Sequence, residues 1–345
     1  MSGKVRATGA GPGPTVRLVA WADHHQIGVY LLALAAGAVL GLVVPGTAPP
    51  LEHAIEPVLA ALLFATFLQV PFTALTRAFR DARFLAVVLV VDFAVVPLVV
   101  WALMPLVPGG QAVLLGVLLV LLTPCVDYVI VFSGLAGGSS YRLLAATPLL
   151  MLAQLLLLPL YLLVLLGPEV ADVVDPGPFV RAFTVLIAIP LLLALATELL
   201  ARRHRAGVTV TEVMTSLMVP LLAVTLLVVV ASQVPAVRGA MGTVAQVVPV
   251  FALFALVMVG VGVAAARAGH LDPAGGRAVV FSGVTRNSLV VLPLALALPA
   301  GFELTPVVVV TQTLVELVAM LALVRLSPRL VPAHHERRDR PPSRR

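Results

Sequence analysis

Long apolar stretches separated by short polar connections run through almost the whole chain. A helix needs about 20 apolar residues to cross roughly 30 Å of hydrocarbon. Ten stretches approach that length: 27–45, 55–75, 84–106, 111–134, 143–166, 178–200, 213–233, 244–266, 277–298 and 305–326. Spanning β-strands would alternate over about ten residues, whereas stretches such as 155–166 are unbroken. The pattern predicts an all-α integral membrane protein with ten transmembrane helices.

The ten stretches divide into two similar halves. Thr147-Pro148 in the fifth stretch and Thr305-Pro306 in the tenth are each followed, after five residues, by a glutamine, Gln154 and Gln312. Because each half holds an odd number of helices, the halves have opposite orientations in the membrane. Inverted repeats with broken helices are typical of secondary transporters. The pattern therefore predicts a transporter domain over 25–330, with repeats at 25–167 and 177–327.

The amino-acid composition is also that of a protein embedded in a lipid bilayer. Hydrophobic residues make up 61% and charged residues 11% of the 345 residues, against about 45–50% and about 25% in soluble domains. The net charge of +6 lies at the ends of the stretches and in the tail, so we expect no nucleic-acid partner. Cys125 is the only cysteine, which excludes an internal disulfide.

Positive charges alternate between successive connections. Nineteen Lys and Arg residues lie on one predicted side, and only Arg181 and Arg238 lie in the opposite loops. Basic loops remain cytoplasmic, so both termini are predicted inside, as an even number of spans requires. We expect a multi-pass protein of the cell membrane with disordered cytoplasmic segments at 1–24 and 331–345.

The fourth stretch contains Thr123-Pro124-Cys125 near its centre. Proline lacks an N–H group and clashes with the preceding turn, so the helix is predicted to break there. Backbone groups freed by a break can contact a solute. The Cys125 thiol is a soft ligand at that break, or else a small inert core residue. Pro124 and Cys125 are candidate substrate contacts, and Asp127 is predicted to face elsewhere.

The ninth stretch holds four consecutive polar residues, Thr285, Arg286, Asn287 and Ser288. A charge at the bilayer centre costs about 2.5–3.5 kcal/mol on insertion scales, so this run predicts a cavity. We assign Arg286, Asn287 and Ser288 to substrate binding, with Thr285 as a supporting polar residue. Alternatively, Arg286 only pairs with an intramembrane acid and holds helices together.

Two further carboxylates lie deep in apolar stretches. Glu316 in the tenth stretch is four residues from Gln312, which places both on one helix face. We assign Glu316 to proton coupling, with Gln312 and Gln154 as supporting polar residues; the alternative is a structural ion pair with Arg286. Asp92 in the third stretch is either a second proton site or a helix-pairing partner.

Several other classes of protein and site are disfavoured. All seven histidines lie outside the apolar stretches, which disfavours a zinc site within the membrane. There is no G-x-x-x-x-G-K-[ST] motif and no readable nucleophile–base pair. We therefore expect no enzyme activity, no cofactor, no bound metal and no ATPase subunit.

These motifs, in this order, resemble the bile acid/sodium symporter superfamily. Over about residues 25–330 the chain is most similar to arsenite efflux permeases of the arsenical-resistance-3 type, which carry a Pro-Cys in span four, a polar Asn-centred break in span nine and a glutamate in span ten. The resemblance implies a panel and a core domain, with spans four and nine crossing in the core. It implies efflux of arsenite or antimonite, with Cys125 as the thiol contact and Glu316 as the proton-linked group.

The chain departs from this superfamily at two positions. Sodium-coupled members carry a carboxylate five residues before the span-nine asparagine, where this chain has Ser282, so protons are favoured over sodium. Arg286 stands where both subfamilies are uncharged. A fixed cation there could replace sodium or attract an anionic substrate. The second interpretation is an organic-anion carrier of the same fold, with or without sodium coupling. Transport of another metalloid or a peptide-like solute is a further alternative.

Overall fold

A computed structural model of the chain describes residues 25–69, 81–126, 128–167, 181 and 184–332. These residues form helices and short connections, and their only β-structure is an isolated antiparallel bridge between Pro124 and Arg286. The all-α prediction is confirmed for this part of the chain. The predicted segment 1–24, the tail from residue 333, Asp127 and the basic residues Arg77 and Arg80 lie outside the described residues.

The helices follow the apolar stretches closely. They are α1 Gln26–Val43, α2 Ala48–Leu68, α3 Ala82–Val90, α4 Val96–Leu103, α5 Gln111–Leu121, α6 Tyr128–Leu135, α7 Ser140–Leu166, α8 Ile189–Ala201, α9 Arg205–Ser216, α10 Met218–Gly239, α11 Met241–Ala268, α12 Pro273–Val284, α13 Ser288–Leu296 and α14 Leu304–Leu330. A wider π-helical turn, Val91–Val95, joins α3 to α4, and another, Thr184–Ala188, precedes α8.

Among the described residues, seven helical segments are long and apolar enough to cross a membrane on their own, and α1 and α5 are shorter apolar helices. The described part of the chain is therefore that of a multi-pass membrane protein. The fourth and ninth predicted stretches are each divided into two helices, α5 with α6 and α12 with α13. Ten complete spans and the inverted repeat stay predictions.

Helix α9 lies where the sequence predicted a connection and the beginning of the seventh span. The segment is polar, but the hydroxyls of Thr209 and Thr211 donate to carbonyl oxygens one turn earlier in the same helix. Gly207 lets the start of α9 approach α8, since a Cβ atom there would stand 2.3 Å from the backbone nitrogen of Ala201. Local hydrogen bonding and close packing thus make this polar segment helical.

The chain divides into two compact units. The first holds residues up to Leu68 and Pro190–Pro235, and the second holds Gln69–Ile189 and the residues from Ala236 onward. The last three predicted spans of each half lie in the second unit, whereas the first unit holds most of the first two spans of the first half, the second part of the sixth span and the seventh span. A division into two domains is what the resemblance implies. All of the predicted site residues belong to the second unit.

Within the second unit, two glycines permit close helix packing around the broken helices. A Cβ atom at Gly116 of α5 would lie 2.8 Å from the Val308 side chain of α14, and one at Gly262 of α11 would lie 2.8 Å from the Val280 Cα of α12. Any larger residue would force these helices apart. The close contacts hold α5 and α12, the helices that end at the two breaks, against their neighbours.

Arg142 of α7 connects the beginnings of two other helices in this unit. Asp81 caps α3 and Asp272 caps α12, each accepting a backbone N–H group. Arg142 pairs with both carboxylates, at 2.9 Å from Asp81. Partial burial acts to raise the pKa of Asp272, but the hydrogen bond and charge of Arg142 outweigh it and lower that pKa. This cluster fixes where α12 begins.

Candidate functional site

The two broken helices meet at their breaks. The backbone N–H of Cys125 donates to the Thr285 carbonyl at 3.3 Å, and the N–H of Asn287 donates to the Thr123 carbonyl at 2.8 Å. These two bonds make the antiparallel bridge and tie the first break to the second. The structure therefore brings the predicted Pro-Cys segment and the predicted polar segment together, although about 160 residues separate them in sequence.

The first break follows from its proline. Helix α5 ends at Leu121, and the Thr123 hydroxyl donates to carbonyls of the last turn of α5, Leu119 at 3.0 Å and Val120 at 3.1 Å. Pro124 has no N–H group to continue the helical ladder. Cys125 comes next and its side chain is buried. The predicted break at Thr123-Pro124-Cys125 is confirmed.

The second break lies between Val284 and Ser288. Helix α12 ends before Thr285, and Asn287 caps α13 by accepting the Val290 N–H on its Oδ1 atom at 3.3 Å. The Asn287 Nδ2 atom is buried and has no hydrogen-bond partner among the described residues. Buried polar groups in proteins are rarely left unpaired. The second break thus contains a buried donor that no described residue uses.

Arg286 is fully buried, and its guanidinium pairs with Asp92. The Nη2 atom of Arg286 lies 2.7 Å from Asp92 Oδ1, and the Ser282 hydroxyl donates to Asp92 Oδ2 at 2.6 Å. The sequence offered Glu316 as the partner of this charge, but Glu316 instead accepts the backbone N–H of Arg286 at 2.7 Å. The π-helical turn Val91–Val95 positions Asp92 for this pairing.

Glu316 accepts hydrogen bonds from three donors. Besides the Arg286 N–H on Oε2, the Tyr128 hydroxyl donates to Oε1 at 2.8 Å and the Gln312 amide donates to Oε2. The predicted shared face of Gln312 and Glu316 is therefore realised as a direct contact. All of these groups are buried. Three donors around one carboxylate form a compact polar cluster within an apolar surrounding.

Tyr128 is a site residue that the sequence did not indicate. It is the first residue of α6, and 188 residues separate it from its partner Glu316. Tyr128 follows Cys125 by three residues in the sequence. Its hydrogen bond thus connects the segment after the first break to the carboxylate of α14.

The remaining predicted site residues divide between the cluster and its surroundings. Ser288 accepts a hydrogen bond from the Thr313 hydroxyl at 2.7 Å, so it is held against α14. The Thr285 hydroxyl returns to the Phe281 carbonyl of its own helix at 2.8 Å. Gln154 is buried on α7, and no hydrogen bond among the described residues joins it to the cluster. Three buried polar atoms of the cluster have no hydrogen-bond partner among the described residues: Asn287 Nδ2, Gln312 Oε1 and Arg286 Nε.

Helix polarity gives the crossing a charge pattern. Helices α6 and α13 begin there, and α5 and α12 end there. Beginnings of helices carry about half a positive charge and ends about half a negative one. Backbone N–H groups of α6 and α13 therefore face the crossing, and backbone carbonyl groups of α5 and α12 face it as well.

Comparison with known proteins identifies the family. No curated protein matches the chain significantly. The model of the sodium bile acid symporter family matches residues 56–240, which include the first break but not the second. The match covers more than half of the chain, and the superfamily predicted from the motifs is thereby confirmed. The protein belongs to the sodium bile acid symporter family, a family of membrane transporters.

Proposed function

We propose that this transporter exports arsenite or antimonite across the cell membrane in exchange for protons, with both termini cytoplasmic. Cys125 is the thiol that contacts the metalloid, and Glu316 carries the proton. Pro124, Asn287 and Ser288 complete the substrate site. The observation that carries the proposal is the burial of Cys125 at the helix crossing, three residues before Tyr128, whose hydroxyl donates to Glu316.

The thiol chemistry is reversible and needs no other reactant. When a trihydroxy metalloid meets the Cys125 thiol, a bond forms between sulfur and the metalloid. One metalloid–oxygen bond breaks, and the thiol proton leaves with that hydroxide as water. Water reverses the step on the other side. One thiol makes one such bond, so the solute is held loosely enough to be released.

The contacts of Glu316 provide a way to connect protonation with the crossing. An ionised carboxylate accepts all three of its donors, whereas a protonated carboxyl group must itself donate from one oxygen. The Tyr128 hydroxyl can become an acceptor, but the Arg286 backbone N–H cannot. Protonation of the Oε2 atom would therefore weaken the hydrogen bond from that N–H group, which belongs to the second break. Glu316 is thus suited to couple proton movement to the backbone at the site.

Charge balance also favours a neutral substrate. The buried guanidinium of Arg286 is neutralised by Asp92 at 2.7 Å. A cation already matched by a carboxylate gives an anionic solute no net attraction, and a buried charge pair is broken only at a large free-energy cost. Arsenous acid and its antimony analogue are uncharged at neutral pH, so they need no counter-charge.

Vesicle transport tests the proposal. Inverted vesicles that contain the protein should accumulate arsenite when their interior is acidic, because outward proton movement drives inward arsenite movement. Cys125→Ser should reduce accumulation to the level of empty vesicles without changing the amount of inserted protein. Unchanged transport by Cys125→Ser would refute the thiol role. Accumulation without a pH gradient would refute proton exchange.

An organic anion is the second candidate substrate. The beginnings of α6 and α13 face the crossing, and helix beginnings in transporters bind anionic substrate groups. The family match itself supports this candidate. Uptake of a labelled bile acid in the same vesicles distinguishes the two: saturable bile-acid transport that persists in Cys125→Ser would favour the organic-anion carrier.

A further inference from the structure

The guanidinium of Arg286 lies in a cage of oxygen atoms. Its Nη2 atom donates to Asp92 Oδ1 at 2.7 Å, and the other hydrogen bonds of the guanidinium go to backbone carbonyls, those of Ser282 at 2.5 Å, Gly283 at 2.9 Å and Leu121 at 3.4 Å. The Arg286, Asp92 and Ser282 side chains are buried. Four oxygen atoms from three chain segments therefore surround one positive charge away from solvent.

The carbonyls of this cage are available because both helices break. In a continuous helix, each of them would accept an N–H group four residues later. Those three N–H groups are used elsewhere: Cys125 donates to Thr285, Arg286 to Glu316 and Asn287 to Thr123. The carbonyls of Leu121, Ser282 and Gly283 lie at the ends of α5 and α12, where helix dipoles are negative.

Such a cage is negative before the guanidinium is counted. It combines one carboxylate with the negative ends of two helices, and water is excluded from it. In other transporters, carbonyls freed by broken helices and the ends of half-helices coordinate a small cation. Oxygen atoms from carbonyl and carboxylate groups are the ligands that hard cations prefer.

We propose that the cage is a monovalent-cation site whose occupant is the protein's own Arg286 side chain, and that removal of this side chain turns it into a sodium site. The guanidinium is covalently attached, so it stabilises the crossing but cannot cross the membrane. Because the guanidinium does not move across the membrane, it cannot couple transport to a sodium gradient. The cation site deepens the proposed function. It rests on that function in one respect only, namely that protons and not sodium ions drive transport.

Melting of the purified protein in detergent tests the site without any substrate. Arg286→Gln should melt at a lower temperature than the wild type in choline chloride. Sodium chloride at equal ionic strength should raise the melting temperature of this variant in a saturable way, by at least about 3 °C. The wild type should melt at the same temperature in both salts.

The double variant Asp92→Asn/Arg286→Gln is the matched control, because it lacks the cage carboxylate as well. Its melting temperature should not respond to sodium. A single variant that melts identically in sodium and choline would overturn the inference, as would a sodium-dependent rise in the wild type. If Arg286→Gln cannot be purified, the wild type decides: sodium-dependent melting or transport refutes the site, and sodium independence supports it.

This test separates the inference from the proposed function. The melting measurement contains no arsenite and does not depend on Cys125 or on a pH gradient. A sodium response in Arg286→Gln together with no arsenite transport by the wild type would preserve the cation site and refute metalloid efflux. Arsenite transport by the wild type with no sodium response in Arg286→Gln would support metalloid efflux and refute the cation site.

Discussion

The two breaks that cross in the second unit are maintained in different ways. The first, between α5 and α6, contains Pro124, which has no N–H group to continue the helical ladder and clashes with the preceding turn. The second, between α12 and α13, contains no proline between Val284 and Ser288. It depends on Asn287 as a cap and on Arg286, whose backbone and side chain both bond to other helices.

Because the two breaks are maintained differently, we expect the two segments to have different functions. The first break contains Pro124 and is followed directly by Cys125, whose thiol we propose as the ligand. A break built by charges and caps depends on the groups it contacts, so it can respond when Glu316 gains or loses a proton. We infer that the first segment supplies the ligand and the second supplies the response.

The largest expected effect comes from removing the charge that holds the second break. Asp92→Asn leaves the buried guanidinium without a counter-charge, and loss of one partner of a buried pair costs about 3–5 kcal/mol of stability. We expect a large drop in melting temperature in detergent. Asp92→Asn/Arg286→Gln, which removes both charges, should be less destabilised than Asp92→Asn alone. A single variant that melts like the wild type would show that the charge pair does not maintain this break.

Much of this arrangement was predictable because each break leaves a local signal. Pro124 within an apolar stretch and the polar run 285–288 each predict an interruption, and both interruptions are present. Apolar length alone predicted where the helices lie. The polar helix α9 was missed because low hydropathy resembles a loop when the packing at Gly207 is unknown.

The partners across the cluster could not be predicted, since they depend on contacts distant in sequence. Arg286 had two candidate acids, and only the fold places Asp92 at its guanidinium and Glu316 at its backbone. Tyr128 lies between Asp127 and Val129, and nothing in that pattern indicates a hydrogen bond to Glu316. Its role follows from the crossing, which brings the start of α6 to α14.

The next largest effect tests whether the second segment responds to a proton. Glu316→Gln places an amide where three donors converge, so one donor must lose its acceptor, and the side chain can no longer bind or release a proton. We expect arsenite accumulation in acidic inverted vesicles to fall at least about tenfold, with the protein still folded. Glu303→Gln, at the exposed beginning of the same helix, is the matched control and should transport normally. Retained proton-driven exchange in Glu316→Gln would reassign Glu316 to a structural role.

The smallest expected effect separates capping from substrate binding at Asn287. Its Oδ1 atom caps α13, while its buried Nδ2 atom has no partner among the described residues. Asn287→Ala removes both groups and should cost about 1 kcal/mol of stability through the lost cap. Asn287→Ser keeps an oxygen that can cap the helix but also lacks the amide, so it should melt close to the wild type.

Transport by this pair of variants then assigns the amide. If the Nδ2 group binds the solute, both variants should lose arsenite transport to a similar extent, although only Asn287→Ala loses stability. If the residue acts only as a cap, transport should follow melting temperature, and Asn287→Ser should transport like the wild type. If Asn287→Ser transports like the wild type, the segment of Asn287 only stabilises the crossing, and the segment of Cys125 alone contacts the substrate. If both variants lose transport, the segment of Asn287 also supplies a ligand to the substrate.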